Sequence, residues 1–105
     1  MNLNSKYSII VSERVAQMLV SHVAFLAQVD KNAEENLTIE FEKAAKSLEF
    51  MPHRGSWLIG EYIPKNTYRF LVFQNRYMLI YQIIDYNVYI DYVLDCRQDY
   101  SWMIR

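Results

Sequence analysis

The C-terminal third of the chain contains three apolar segments that follow one another with only short turns between them. They cover residues 68–73, 77–84 and 88–96, and Val, Ile, Tyr and Phe dominate each of them, as is typical of β-strands. The two connections, residues 74–76 and 85–87, contain Asn and Asp, which tolerate the left-handed backbone of hairpin corners. The sequence therefore predicts an antiparallel meander, and this constrains the fold more than any other feature of the chain.

The N-terminal half predicts one strand and two helices. Residues 7–11 have the composition of a short strand, and Ser12 follows as a helix N-cap. Apolar residues then recur at spacings of three and four in two segments that only a short stretch around Asp30 separates, so we expect an antiparallel helical hairpin. The core-facing stripes are Val15, Met18, Leu19, His22, Phe25, Leu26 and Val29 in the first helix, and Ala33, Leu37, Phe41, Ala44 and Leu48 in the second.

The order of these parts gives the expected fold class. Pro52 and Gly55 end the second helix, and residues 57–63 predict the first strand of the sheet. The predicted fold is α+β with the order β-α-α-β-β-β-β: an N-terminal strand, a helical hairpin, and a four-stranded antiparallel meander with the helices on one face. We expect a single domain over residues 1–105, with the other face of the sheet open and rich in aromatic residues.

Strand alternation predicts which side chains of the last strand face the helices. One face collects the apolar side chains, and the other collects the acidic ones and Val93. The apolar face is expected to comprise Val88, Ile90, Tyr92, Leu94 and Cys96. We expect Asp91 and Asp95 to be surface charges or partners of Arg97 and Arg69, and Cys96 to be a buried structural thiol.

Composition excludes several classes of protein. A hydrophobic content of 52% is too high for a disordered chain, and no apolar run approaches the ~20 residues of a membrane span. The N-terminus has no secretory leader pattern and the chain has one cysteine, so we expect a cytoplasmic protein without an intramolecular disulfide. A net charge of −1 does not favour nucleic acid as a partner. Five basic residues of the second half are either ordinary surface charges or, if the fold gathers them, a basic patch: Arg54, Lys65, Arg69, Arg76 and Arg97.

The motifs of common enzyme and cofactor sites are missing from the sequence. It contains two glycines and no glycine-rich phosphate loop. His22 and His53 are the only histidines, and neither has a Cys or His partner at ligand spacing. We therefore expect no metal and no cofactor, and we expect His22 to be a packed helix residue.

Four segments together resemble a known family. They are the strand at residues 7–11, the Leu-x-x-x-Pro-x-x-Gly pattern of residues 48–55, the segment Tyr-Met-Leu-Ile-Tyr at residues 77–81, and an Arg-Gln-Asp ending at residues 97–99. In this order they resemble the RelE/ParE superfamily of toxins from bacterial type II toxin-antitoxin systems, which includes plasmid stabilisation proteins. The resemblance implies a toxin that inhibits growth and is neutralised by a cognate antitoxin.

The family has two kinds of target, and the resemblance implies different site residues for each. One branch cleaves ribosome-bound mRNA without a metal, and for it the matching candidates for catalysis are Arg69, Arg76, Arg97 and Tyr100. The other branch poisons DNA gyrase and is not known to need that set. A homodimer is left open by the sequence.

One position departs from the ribonuclease pattern. Met78 stands where ribonuclease members carry a strand Arg that contacts the scissile phosphate. Arg76 is two residues earlier, at the mouth of the hairpin and about 7 Å along the strand. This departure favours the gyrase-directed or catalytically silent type over the alternative, a metal-independent endoribonuclease.

Overall fold

The computed structural model describes residues 6–28 and 31–97, with residues 31–35 described through their backbone alone. The elements are β1 (Ser8–Val11), α1 (Glu13–Ala27), α2 (Lys31–Ser47), a 3-10 turn (Pro52–Arg54), β2 (Ser56–Trp57), β3 (Arg69–Phe73), β4 (Tyr77–Ile84) and β5 (Asn87–Asp95). This order confirms the predicted α+β fold. No helix in the described ranges has the length and apolarity needed to cross a membrane.

All five strands form one mixed sheet with the order β1-β5-β4-β3-β2. β1 is parallel to β5, and the remaining neighbours are antiparallel. The N-terminal strand therefore extends the sheet beyond the predicted four strands. The predicted hairpin corners are confirmed, because Gln74, Asn75 and Asp85 have φ values of 55°, 54° and 56°.

The helical hairpin packs on one face of the sheet, here called the helix face. Ser12 caps α1, since its Oγ accepts a hydrogen bond from the Val15 N–H at 3.1 Å. The core on this face contains fully buried side chains from the helical hairpin, β4 and β5, including Val15, Leu37, Leu48, Leu79, Tyr81, Val88 and Ile90. Phe25, which was predicted to face the core, lies at the margin of the α1 stripe and is 56% exposed.

A β-bulge in β5 overturns the predicted alternation in its second half. Ile80 pairs with Tyr92 and Tyr81 pairs with Ile90, which leaves Asp91 as an extra residue between the two pairs. One inserted residue sends every later side chain to the opposite face. Val93 therefore joins the helix-face core, whereas Leu94 lies on the other face.

The opposite face of the sheet is partly covered, which corrects the expectation that it stays open. The predicted strand over residues 57–63 forms only as the short β2, which pairs with β3, and its predicted extension beyond Trp57 is wrong. The following residues, 58–68, instead lie over the sheet and bury a second cluster around Leu58, Ile80 and Leu94. Two side chains of this covering segment point to solvent: Ile59 is 86% exposed and Tyr62 is 77% exposed.

Candidate functional site

Two of the predicted site residues, Arg76 and Arg97, meet at the carboxylate of Asp95. The β4–β5 register pairs Tyr77 with Asp95 and so brings the β3–β4 turn beside the end of β5. Arg76 donates to Asp95 Oδ2 from Nε at 3.1 Å and from Nη2 at 2.9 Å. Arg97 contributes its backbone N–H to Oδ1 at 3.0 Å and its Nε at 3.5 Å. We call these three residues the Asp95 cluster.

Of the two alternatives for Asp95, the pairing with Arg97 is confirmed, whereas the expectation of a surface charge is wrong because the residue is buried. The residue is 6% exposed, and burial by itself raises the pKa of its carboxyl. The hydrogen bonds from Arg76 and from the Arg97 backbone outweigh burial, so the pKa of Asp95 lies below its ordinary value. The same hydrogen bond raises the pKa of Arg76. Asp95 is therefore an ionised acceptor at neutral pH and has no proton to donate.

We expect Asp95→Asn to lower the free energy of unfolding by about 1.5 kcal/mol at neutral pH, because the half-buried Arg76 loses a charged acceptor. The native pKa of Asp95 lies below its unfolded value of about 3.9. Its stabilisation is therefore present above that pH and is lost as the pH falls through the native pKa. Urea unfolding at a series of pH values should show the deficit of the variant shrinking below about pH 4.

Asp85→Asn is the matched control, since Asp85 is exposed at a turn with a φ of 56° that Asn also tolerates. This control should unfold like the wild-type chain at every pH. A deficit for Asp95→Asn that is the same in acid as at neutral pH would contradict the assigned role of the carboxylate.

Arg69, the third predicted site residue, lies at the other end of the sheet. Its guanidinium stacks on the Trp57 ring with 3.9 Å to the centroid, and its Nη1 donates to the Gly55 carbonyl at 2.8 Å and to the His53 carbonyl at 3.3 Å. Arg69 and Phe73 occupy the two ends of β3, so Arg69 is about 13 Å along the strand from the Asp95 cluster. Tyr100, the fourth predicted residue, lies outside the described residues.

A polar cleft of about 350 Å³ opens beside Arg69. Its lining includes aromatic, cationic, anionic and amide side chains from well-separated parts of the sequence: Tyr7, His53, Trp57, Asn66, Thr67, Arg69, Ile83 and Asp85. The three predicted site residues that the structure describes, Arg69, Arg76 and Arg97, are thus divided between this cleft and the Asp95 cluster. Among the described residues, these three arginines do not form one catalytic arrangement.

Met78 places an uncharged side chain at the position where the ribonuclease pattern has an Arg. Its half-buried side chain packs against the second cluster, around Ile80 and Leu94. Arg76 does not supply the missing cation, because its Nε and Nη2 both donate to Asp95. The strand position expected to contact a phosphate is therefore apolar.

Cys96 and His22 are the remaining side chains that could act as a nucleophile or a metal ligand. Cys96, predicted to be buried, is exposed just beyond β5, and desolvation together with the charge of Asp95 raises the pKa of its thiol. His22 is half-buried as predicted, with Nε2 3.1 Å from the Val93 carbonyl oxygen. Within residues 6–28 and 31–97 no group of three His, Cys, Asp or Glu side chains is placed to hold a metal.

The Leu-x-x-x-Pro-x-x-Gly motif has a role that sequence reasoning missed. Tyr81 is fully buried, donates its hydroxyl to the Pro52 carbonyl at 2.7 Å, and accepts the Gly55 N–H at 3.0 Å. Burial raises the pKa of the Tyr81 hydroxyl. Tyr81, the second Tyr of the Tyr-Met-Leu-Ile-Tyr segment, therefore binds the motif through two hydrogen bonds. We call Pro52, Gly55 and Tyr81 with these two bonds the Tyr81 lock.

The chain was compared with known protein families. Residues 9–100 match the family described as ParE toxin of type II toxin-antitoxin system, parDE. The chain belongs to the ParE toxin family. This match begins within β1 and extends past the end of β5, so it includes most of β1 and all of the later elements. A comparison with curated proteins gave no match. The protein is therefore the toxin of a type II toxin-antitoxin system, and membership implies a cognate antitoxin as its partner.

Proposed function

We propose that this ParE-family toxin inhibits growth by binding an essential protein, DNA gyrase, and does not cleave messenger RNA. The apolar Met78 position carries the proposal. Metal-free cleavage of RNA needs cations at the scissile phosphate and groups that donate and accept protons. Met78 offers neither, and its side chain packs into the second cluster.

The arrangement of the arginines supports the same conclusion. Arg76 is 23% exposed and is neutralised by Asp95, while Arg69 is held by two backbone carbonyls at the far end of the sheet. Arg97 is 64% exposed but shares the same carboxylate as Arg76. A phosphate at the Asp95 cluster would therefore compete with an internal ion pair and meet a buried negative charge.

A binding mode of action has support from the covering segment, residues 58–68. Large apolar side chains that project into solvent from an otherwise anchored segment are typical of protein interfaces. Ile59 and Tyr62 are the two most exposed large apolar side chains among the described residues. These features favour a protein target over a small substrate.

The target is tested with the purified toxin in two assays run in parallel. We expect inhibition of gyrase supercoiling, reversed by the cognate antitoxin, and no discrete cuts when primer extension is applied to mRNA from an in vitro translation reaction. Arg97→Ala should inhibit supercoiling like the wild-type toxin. In induced cells, DNA replication should fail before translation.

Two outcomes would overturn the proposal. Codon-linked cuts that disappear in Arg97→Ala would identify a ribonuclease of the RelE type. Normal growth after induction, with supercoiling unaffected, would identify a silent member of the family. The plasmid-stabilising role and the cytoplasmic location follow from the proposed function and depend on the same experiments.

A further inference from the structure

The guanidinium of Arg69 is held in a fixed position, yet one of its hydrogen-bonding edges has no acceptor in the part of the chain that the structure describes. Its Nη1 donates to the carbonyls of Gly55 at 2.8 Å and His53 at 3.3 Å, and its Cζ lies 3.9 Å from the centre of the Trp57 ring. The two carbonyls account for both hydrogens of Nη1. The Nε–H and Nη2–H groups therefore remain available along the other edge.

This edge is the one with which an arginine binds an anion. The two parallel N–H groups form a fork that matches the oxygens of a carboxylate or a phosphate. In this protein Arg76 uses the same two nitrogens to bind Asp95, whereas no ion pair between described residues includes Arg69. Because the carbonyls and the Trp57 ring already hold Arg69, an anion at its fork would not have to order the side chain.

Arg69 lines the polar cleft described above, and that cleft has the size of a ligand site. Its volume of about 350 Å³ lies within the range of small-molecule pockets. None of its lining residues belongs to a helix. Trp57, which is 40% exposed, Tyr7 and Ile83 supply apolar surface in the same lining. A ligand with an anionic head and an apolar body would therefore find a partner for each part.

Asp85 limits the charge that such a ligand can carry. It lines the same cleft and is four residues beyond Tyr81, the β4 partner of Arg69, so Asp85 and Arg69 are about 13 Å apart along the strand. Arg69 is the only Arg or Lys in the lining. A phosphate monoester carries nearly two negative charges at neutral pH, and its second charge would meet Asp85 with no second guanidinium to offset it. A carboxylate carries one.

We propose that this cleft binds a monocarboxylate, with the carboxylate on the Nε–Nη2 edge of Arg69 and the body of the ligand against Trp57. A free acid and an acidic side chain of a bound protein present the same group, so both are possible sources of the carboxylate. The site is independent of which cellular target the toxin inhibits.

Three probes with the same ring and different head groups test the site: benzoate, benzamide and phenyl phosphate. Each is titrated into isotope-labelled wild-type toxin at constant ionic strength, while NMR follows the Arg69 Nε–H and the Trp57 indole N–H. We expect benzoate to shift both resonances saturably. Benzamide should bind at least about tenfold more weakly because it has no charge, and phenyl phosphate should also bind more weakly than benzoate.

Arg69→Gln should weaken the binding of benzoate at least about tenfold, as measured at the Trp57 indole, because the fork is lost. Arg14→Gln is the matched control. It also removes one positive charge, but Arg14 lies over the Tyr92 ring, 4.6 Å from its centroid, and does not line the cleft. It should bind benzoate like the wild-type chain. Equal weakening by both variants would mean that only net charge matters, and would overturn the proposal.

Asp85→Asn tests the preference for a single negative charge and leaves Arg69 in place, in case Arg69→Gln does not fold. It should strengthen the binding of phenyl phosphate at least about threefold, and that of benzoate less, because a like charge is removed. The proposal is overturned if benzoate shifts neither resonance of the wild-type toxin. It is also overturned if benzamide or phenyl phosphate binds the wild-type toxin as tightly as benzoate does.

The complex with the cognate antitoxin distinguishes the two sources of the carboxylate. If an acidic residue of the antitoxin fills the cleft, benzoate no longer shifts the Trp57 indole in the complex, and Arg69→Gln weakens the complex at least about tenfold. If the ligand is a free acid, the complex binds benzoate like the free toxin. A toxin that fails to inhibit gyrase would leave these results unchanged, so the two proposals fail separately.

Discussion

Replacing Gly55 with alanine is expected to lower the free energy of unfolding by about 4 kcal/mol, which is more than the about 1–3 kcal/mol typical of overpacking in a core. A Cβ at this position would lie 2.5 Å from the Tyr81 hydroxyl oxygen and 2.7 Å from the Phe70 carbonyl oxygen. The carbonyl is backbone of β3, where Phe70 pairs with Ser56 on one side and Ile80 on the other. The hydroxyl is held by Pro52, so neither atom can move without breaking a hydrogen bond.

Urea unfolding monitored by circular dichroism measures this effect. Gly60→Ala is the matched control, because Gly60 is the other glycine of the chain and no glycine has a positive φ. It should change the free energy of unfolding by less than about 1 kcal/mol. A similarly small loss for Gly55→Ala would show that β3 and the Tyr81 lock can separate at little cost, and would contradict the proposed role of the motif.

Features of the fold that depend on local patterns were predicted from the sequence. The meander and its corners follow from β-forming runs separated by Asn and Asp, and the helical hairpin follows from apolar spacing and the Ser12 cap. Each of these signals lies within a few residues of the element it specifies. Local propensity and hydrophobic period are therefore sufficient to place them.

Features that depend on distant contacts were not predicted. The extra residue at Asp91 has no marker in a run of Val, Tyr and Ile, yet it reverses every later side chain in β5. The pairing of Asp95 with the nearby Arg97 is predictable, but its burial and its bonds to Arg76 are not, because Arg76 lies 19 residues earlier. The apolar run after Trp57 reads as a strand, but those residues cover the sheet instead of extending it. In each case tertiary packing overrides a correct local pattern.

Two of the segments that carry the family resemblance, residues 48–55 and 77–81, contact each other. Pro52 and Gly55 from one segment meet Tyr81 from another in the Tyr81 lock, and none of the three belongs to the Asp95 cluster. These residues maintain the fold. A chain can therefore retain the family fold while Met78, which packs on the other face of the sheet, departs from the ribonuclease pattern. The residues that maintain the family fold are therefore different from the position at which the ribonuclease pattern requires an Arg.

Tyr81→Phe is expected to lower the free energy of unfolding by about 3 kcal/mol, because two buried backbone groups lose their partner at once. The Gly55 N–H and the Pro52 carbonyl both bond the hydroxyl, and removing it costs the desolvation of each group at about 1–3 kcal/mol apiece. Tyr86→Phe is the matched control, since Tyr86 is 67% exposed, and it should change the free energy of unfolding by less than about 0.5 kcal/mol.

A double-mutant cycle between Tyr81→Phe and Gly55→Ala separates the hydrogen bonds of the lock from its steric fit. A Cβ at position 55 would make its shortest contact with the Tyr81 hydroxyl, and its next two with the Phe70 carbonyl at 2.7 Å and with Tyr81 Cε1 at 3.0 Å. Once the hydroxyl is gone, alanine at position 55 is relieved of the shortest of these contacts. The double variant should therefore lose at least about 1 kcal/mol less than the sum of the single losses. Additive losses would mean that the hydroxyl and Gly55 act independently, and the motif would then need an explanation other than the contact with Tyr81.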